Sequence, residues 1–312
     1  MKELKILAVV VFFTLLTYYL VEPYAHSQMH KHVDSEGFKY NDLPALTKKG
    51  DAANGKELTI NAGCTGCHSI EVAGMPSPMD SVMAAQSYGV NPPDLSNAGV
   101  IYDAKFLSDL IKNPAHALKV EHKFDANSGK MHPMVPFYGM GGDIDQEVAD
   151  IVAYLQSIAV KEEAVTPAMA FENACGRCHE VGYENWTQLG TKPKFKHEKD
   201  SLAYDIKVME YQDSLKAYMG KLPPDLSMYY RSRNEHFLST FIENPQNHLA
   251  GTAMPRVGVT AESAEKVIEY LADSADTKRH ERDAIGKNVM IYMVFFAIFA
   301  ILWKKQVWRK LH

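Results

Sequence analysis

The chain has 312 residues, of which 46% are hydrophobic and 23% charged, and its formal net charge is −5. That length holds about two ordinary domains, and the composition is that of a packed globular protein rather than a disordered one. The balance is mildly acidic with no basic stripe, which excludes nucleic acid as a partner.

The N-terminus carries Lys2 and Lys5, then an apolar run from Ile6 to Val21 broken only by Thr14 and Thr17. The run is a little short of the roughly 20 residues of a full span, and Leu4, the snorkelling Lys5 and Tyr24 extend it. This predicts a transmembrane anchor over 1–23, with a signal peptide cleaved near Ala25-His26-Ser27 as the competing reading. Lys2 and Lys5 hold the start in the cytoplasm, so the middle of the chain is exported. Residues 24–50 contain His26, His30 and His32 and end on Lys48-Lys49-Gly50. They read as a solvated linker rather than a metal site.

From residue 51 a helical lead-in runs to Cys64-Thr65-Gly66-Cys67-His68, and a second lead-in reaches Cys175-Gly176-Arg177-Cys178-His179. Ile60 and Phe171 each stand four residues before the first cysteine, on the same helix face. The C-x-x-C-H spacing lets two thiols add across the vinyl groups of one haem while the next histidine supplies an axial nitrogen to the iron. A redox dithiol, a half zinc site or a disulfide is the alternative for one such pair. All four cysteines fall in the two pentapeptides and each pentapeptide ends in histidine, so two covalently bound haems c are expected, on Cys64, Cys67, Cys175 and Cys178, with His68 and His179 as ligands.

The duplication continues downstream. Asn91-Pro92-Pro93-Asp94-Leu95-Ser96 returns as Leu222-Pro223-Pro224-Asp225-Leu226-Ser227, and Phe106 to Pro114 returns as Phe237 to Pro245, each 131 residues later. The expected boundaries are a first haem domain over 51–160 and a second over 161–278. Each closes on an apolar-periodic helix, around Val148–Leu155 and Ala264–Leu271. The Pro-Pro-Asp-Leu-Ser motif starts a helix and lines the haem, with a proline carbonyl, of Pro93 or Pro224, accepting the Nδ1 proton of the ligand histidine. The sixth ligands are expected at Met134 and Met254; Met131 is the next candidate in the first domain and His132 the alternative nitrogen donor. The second domain has 20 extra residues ahead of its Pro-Pro motif. They carry a predicted helix whose stripe, Tyr204, Val208, Tyr211, Leu215 and Tyr218, is expected to pack on its own domain.

A second apolar run, Val289 to Trp303, ends in tryptophans and a basic tail, which predicts a C-terminal anchor over 285–305 and a cytoplasmic tail over 306–312. The fold class is therefore mainly α, with two tandem class I-like haem domains between two transmembrane helices, and the haem domains on the periplasmic side of the inner membrane.

The segment from Arg279-His280-Glu281-Arg282 through Lys304-Lys305-Gln306-Val307-Trp308-Arg309-Lys310-Leu311-His312 closely resembles the membrane anchor of cytochrome c1. Pro-Pro-Asp-Leu-Ser and the Met-x-Pro at Met134 resemble that family's haem pocket. The likeness covers about two thirds of the chain, and it departs from most cytochromes c1 in having two haem motifs and an N-terminal anchor. The dihaem layout is similar to the cytochrome c1 of epsilonproteobacterial quinol–cytochrome c reductases and to the actinobacterial dihaem subunit. The resemblance implies an electron-carrying, non-catalytic subunit of a cytochrome bc1-type complex with cytochrome b and the Rieske iron–sulfur protein as partners, passing electrons to a soluble cytochrome c or a terminal oxidase. By analogy the second haem faces the Rieske protein. The runner-up is the dihaem subunit of a cbb3-type oxidase, which leaves the C-terminal anchor and the doubled Pro-Pro motif without a reason. A haem peroxidase needs an open sixth position, which the methionines argue against.

Overall fold

The structure, a computed structural model, describes residues 2–29, 33–124 and 129–311. His30 and His32 of the histidine-rich stretch lie outside the described residues. The chain divides into two compact units, residues 1–35 and 36–312.

The first unit is helical throughout: α1 (Lys2–Leu16), a π-helical stretch (Thr17–Val21) and α2 (Glu22–Met29). Pro23 has no N–H to return to the preceding turn, and the widened stretch lies immediately ahead of it. Leu4–Ala25 is long and apolar enough to cross a membrane, and its apolar side chains are exposed on every face.

The second unit begins with residues expected to be linker. Phe38, Tyr40 and Leu43 are instead buried in the core. Phe38 and Tyr40 hold left-handed backbone (φ 58° and 45°), a strain sustained by what they touch. The Tyr40 hydroxyl donates to Val259 O at 2.6 Å, and the Phe38 N–H donates to Glu243 Oε1 at 2.6 Å.

Two runs of elements follow. The first is α3 (Ala52–Asn61), α4 (Ser81–Tyr88), α5 (Ala98–Ile101), α6 (Ala104–Lys112), α7 (Pro114–Ala117) and α8 (Ile144–Ile158). The second is α9 (Pro167–Ala174), a hairpin of β1 (Trp186–Thr187) and β2 (Gly190–Thr191), α10 (Glu198–Met219), α11 (Tyr229–Ser232), α12 (Glu235–Glu243), α13 (Pro245–His248) and α14 (Ala261–Ala275). The starts are set by side-chain caps: Asp51, Asp80, Asp103 and Asp143 in the first run, Thr166, Asn234 and Thr260 in the second. Prolines open α7, α9 and α13, where their missing N–H costs nothing.

In each run the opening helix lies along the closing one, α3 on α8 and α9 on α14. A large hydrophobic cluster joins both runs, taking Leu58, Phe106 and Val152 together with Phe171, Val267 and Leu271. Main-chain bonds stitch them: Asp103 N–H to Gly258 O at 2.9 Å and Thr260 N–H to Ile101 O at 3.0 Å. Gly258 (φ +75°) lies against the Phe106 ring, where a Cβ would stand 2.1 Å from a ring carbon, so only glycine serves there.

The extra residues of the second run form the hairpin and the long front of α10. Both α4 and α10 end on a left-handed glycine, Gly89 or Gly220, just before the repeated Pro-Pro. The α10 stripe is shared between the runs. Tyr211, Leu215 and Met219 cluster with Ala85 and Val90 of the first run as well as with Cys178 and Leu189 of their own. Last comes α15 (Arg279–Leu311), of which Arg279–Arg309 is long and apolar enough to cross a membrane.

Candidate functional site: a cysteine–histidine cradle built twice

Each pentapeptide folds as one tight turn. The N–H of His68 donates to Cys64 O at 2.9 Å, and that of His179 to Cys175 O at 2.9 Å, so the two cysteines and the histidine are presented by a single helical turn. The lead-in differs. Helix α3 stops at Asn61 and turns through left-handed Gly63, whereas α9 runs directly into Cys175.

The Pro-Pro-Asp-Leu-Ser segment then folds back over the residues after each histidine. His68 Nδ1 donates to Pro93 O at 2.9 Å, and His179 Nδ1 donates to Pro224 O at 2.9 Å. The leucine N–H of the motif donates to the residue after the histidine, Leu95 to Ser69 O at 2.8 Å and Leu226 to Glu180 O at 2.9 Å. Its aspartate and serine accept the exposed N–H groups of the next turn: Glu71 N–H to Asp94 Oδ1 and Val72 N–H to Ser96 Oγ in one copy, Gly182 N–H to Asp225 Oδ1 and Tyr183 N–H to Ser227 Oγ in the other. That turn is pinned by a two-way main-chain pair, Ile70 with Met75 or Val181 with Trp186.

A carbonyl only accepts, so the bond to Pro93 or Pro224 places the imidazole proton on Nδ1 and leaves the Nε2 lone pair as the donor to a metal. Desolvation pushes both histidine pKa values below the ordinary range, which keeps the rings neutral; the Arg177 charge adds to this at His68. The four thiols are free rather than joined in disulfides. Burial pushes Cys64 and Cys178 up and Cys175 up to about 12, opposite to what a nucleophilic redox dithiol needs. Among the described residues, no group of three or more His, Cys, Asp or Glu side chains converges as a zinc site requires. Paired free thiols with an Nε2-donating imidazole beside them fit covalent haem c.

The sixth-ligand candidates stand as follows. Met134 and Met254 are half-buried, while Met131 and Met140 are exposed. His132 has both nitrogens engaged: Nδ1 accepts the Met134 N–H at 3.1 Å, and Nε2 lies 3.2 Å from the Tyr218 hydroxyl.

Residues 52–159, about a third of the chain, match the family model described as cytochrome c, so this segment is a cytochrome c electron-transfer domain. That family carries covalent haem c. No curated protein matches the chain. A chain of a solved structure described as a hyperthermophilic respiratory Complex III is 22% identical, over 47% of this chain and 75% of that one, with a TM-score of 0.35. A likeness of that size leaves the role of this protein to its own residues.

Three groups of side chains around the cradles are not marked by motif spacing. Arg177, inside the second motif, donates from Nη1 to Asn91 O at 3.0 Å. Tyr88 takes the Cys67 thiol at 3.6 Å, and Trp186 lies over Gly176, to whose carbonyl its indole donates at 3.2 Å. Arg256, two residues after Met254, is buried; it holds Asp42 through Nη1 at 2.8 Å to each carboxylate oxygen and donates from Nε to Ala117 O at 2.8 Å. Only the placement of Gly176 opposite Trp186 has a trace in the sequence, a glycine where the first motif has Thr65.

Proposed function

We propose that this chain is a dihaem cytochrome c1-like subunit of a quinol–cytochrome c oxidoreductase, made of two cytochrome c domains in tandem. The observation that carries the reading is the doubled cradle: in both copies the same thiol spacing, the same proline carbonyl on Nδ1 and the same Asp and Ser bonds recur. Haem c, held by Cys64, Cys67 and His68 and by Cys175, Cys178 and His179, supplies one-electron transfer without bond chemistry. The proline carbonyls fix each ring and raise its basicity. Met134 and Met254 are assigned as the thioether ligands, which favour a high reduction potential.

Two apolar helices anchor the chain in the inner membrane, with the haem-bearing part on the periplasmic side. The partners are cytochrome b and the Rieske protein on the donor side, and a soluble cytochrome c or an oxidase on the acceptor side. The test is on mildly solubilised membranes purified through a tag on this chain. Adding quinol is expected to reduce c-type absorbance at a rate that a quinol-site inhibitor abolishes. Absence of quinol reduction, with rapid oxidation of the pre-reduced chain by oxygen, would move it to a terminal oxidase.

A further inference from the structure

Arg177 belongs to the second motif by sequence and to the first site by contact. It lies between Cys175 and Cys178, yet its Nη1 donates to Asn91 O at 3.0 Å. Tyr211 of α10 completes the grip: its hydroxyl donates to Arg177 O at 2.9 Å and accepts the Asn91 N–H at 3.1 Å. Two residues beyond Asn91 is Pro93, whose carbonyl orients His68. Arg177 Nε is buried and has no hydrogen-bond partner among the described residues. Burying a guanidinium with one donor left over is costly.

We propose that Arg177 is a positioning residue for the first haem site, which sets the reduction potential of that iron from within the loop of the second motif. This rests on the dihaem reading above. The guanidinium acts in two ways. As a fixed cation it opposes the extra positive charge of the oxidised iron and raises the potential. With Tyr211 it clamps the main chain from Asn91 to Pro93 and so holds the bond that orients His68. The second motif's turn therefore tunes the first site, and the two potentials are not independent.

The test is a potentiometric titration of the full-length holoprotein in detergent. The second haem's wave is identified by Met254→His, because replacing a thioether by imidazole lowers it. Arg177→Gln is expected to weaken the first haem's hold on its electron about tenfold, a downward shift of about 59 mV for a one-electron couple. Arg177→Lys keeps the charge and is expected not to lower that wave. A first wave unmoved in Arg177→Gln with both haems present, or lowered as far in Arg177→Lys, overturns the proposal. If neither variant retains haem, Tyr211→Phe keeps the cation and removes the clamp. It is expected to shift the first wave upward as the Nδ1 bond to Pro93 O loosens, and no shift there overturns the proposal. A wild-type protein that carries one covalent haem per chain, counted from its pyridine haemochrome absorbance against protein, sinks the dihaem reading itself and is seen before any variant is made.

Discussion

The cytochrome c domain of residues 52–159 and the segment from 167 to 275 run through the same order of helices around the same turn, the hairpin apart, but they close differently. In the first, α3 and α8 touch through backbone: a Cβ on Gly55 would stand 1.9 Å from Asp150 O. The crossing is tied by Asp150, which accepts the Asp51 N–H at 2.7 Å, Asn54 Nδ2 at 2.5 Å and Gln146 Nε2 at 2.8 Å. In the second, α9 and α14 meet through rings, with Phe171 stacked on Tyr270 at 4.5 Å and edge-on to Trp186 at 6.0 Å. At the place along the closing helix where α8 has Asp150, α14 has Lys266, whose Nζ reaches out to Glu162 O at 2.8 Å instead of tying the opening helix. The same cradle can thus be held by a polar clasp between closely crossing helices or by an aromatic stack, because what the cradle needs from its helices is rigidity and not a particular chemistry.

The largest expected effect separates two residues in equivalent places. Phe171 is fully buried and Ile60 is 43% exposed. Phe171→Ala should cost about 3–5 kcal/mol of stability, as large-to-small changes in a packed core do. Ile60→Ala should cost less than about 1 kcal/mol, since little protein surface covers it. Denaturant midpoints on the two variants check this, and equal losses would break the contrast between the segments.

The next effect concerns the crossing. Gly55→Ala forces α3 away from α8 and should cost about 1–3 kcal/mol. Amide exchange should rise in α3 and α8 and stay near wild type in α9 and α14. A rise in all four helices would mean that the shared core does not confine the disturbance.

The smallest effect sharpens the same comparison through pH. Desolvation at Asp150 raises its pKa, and the bonds from Asp51, Asn54 and Gln146 outweigh it, so the net shift is downward. A carboxylate with a depressed folded pKa contributes stability above its ordinary pKa of about 4, and the contribution is lost as pH falls through the folded value. Asp150→Asn should therefore cost about 1 kcal/mol near neutral pH, and the gap from wild type should close below about pH 4. A gap that persists in acid would show that packing rather than charge holds the clasp.

Much of the site was readable along the chain because its parts are local. The thiol spacing, the adjacent histidine and the Pro-Pro-Asp-Leu-Ser segment act within one or two turns, and the structure has a proline carbonyl on Nδ1 in both copies. The latter part of the 24–50 stretch misled because Phe38, Tyr40 and Leu43 are spaced without helical or strand period, and their burial depends on Val259 and Glu243 more than 200 residues away. The α10 stripe was visible as a stripe, but periodicity names a buried face without naming what buries it.

Sequence by itself therefore determined the two cradles, their donors and two apolar segments long enough to be read as spans, since each follows from spacing between near neighbours. Only the tertiary structure decided that residues 36–43, Arg256 and Arg177 cross from one run to the other, that the runs share their hydrophobic packing, and that Tyr211 joins the second motif to the segment orienting His68. Those contacts come from how helices pack, and packing is a property of surfaces far apart along the chain.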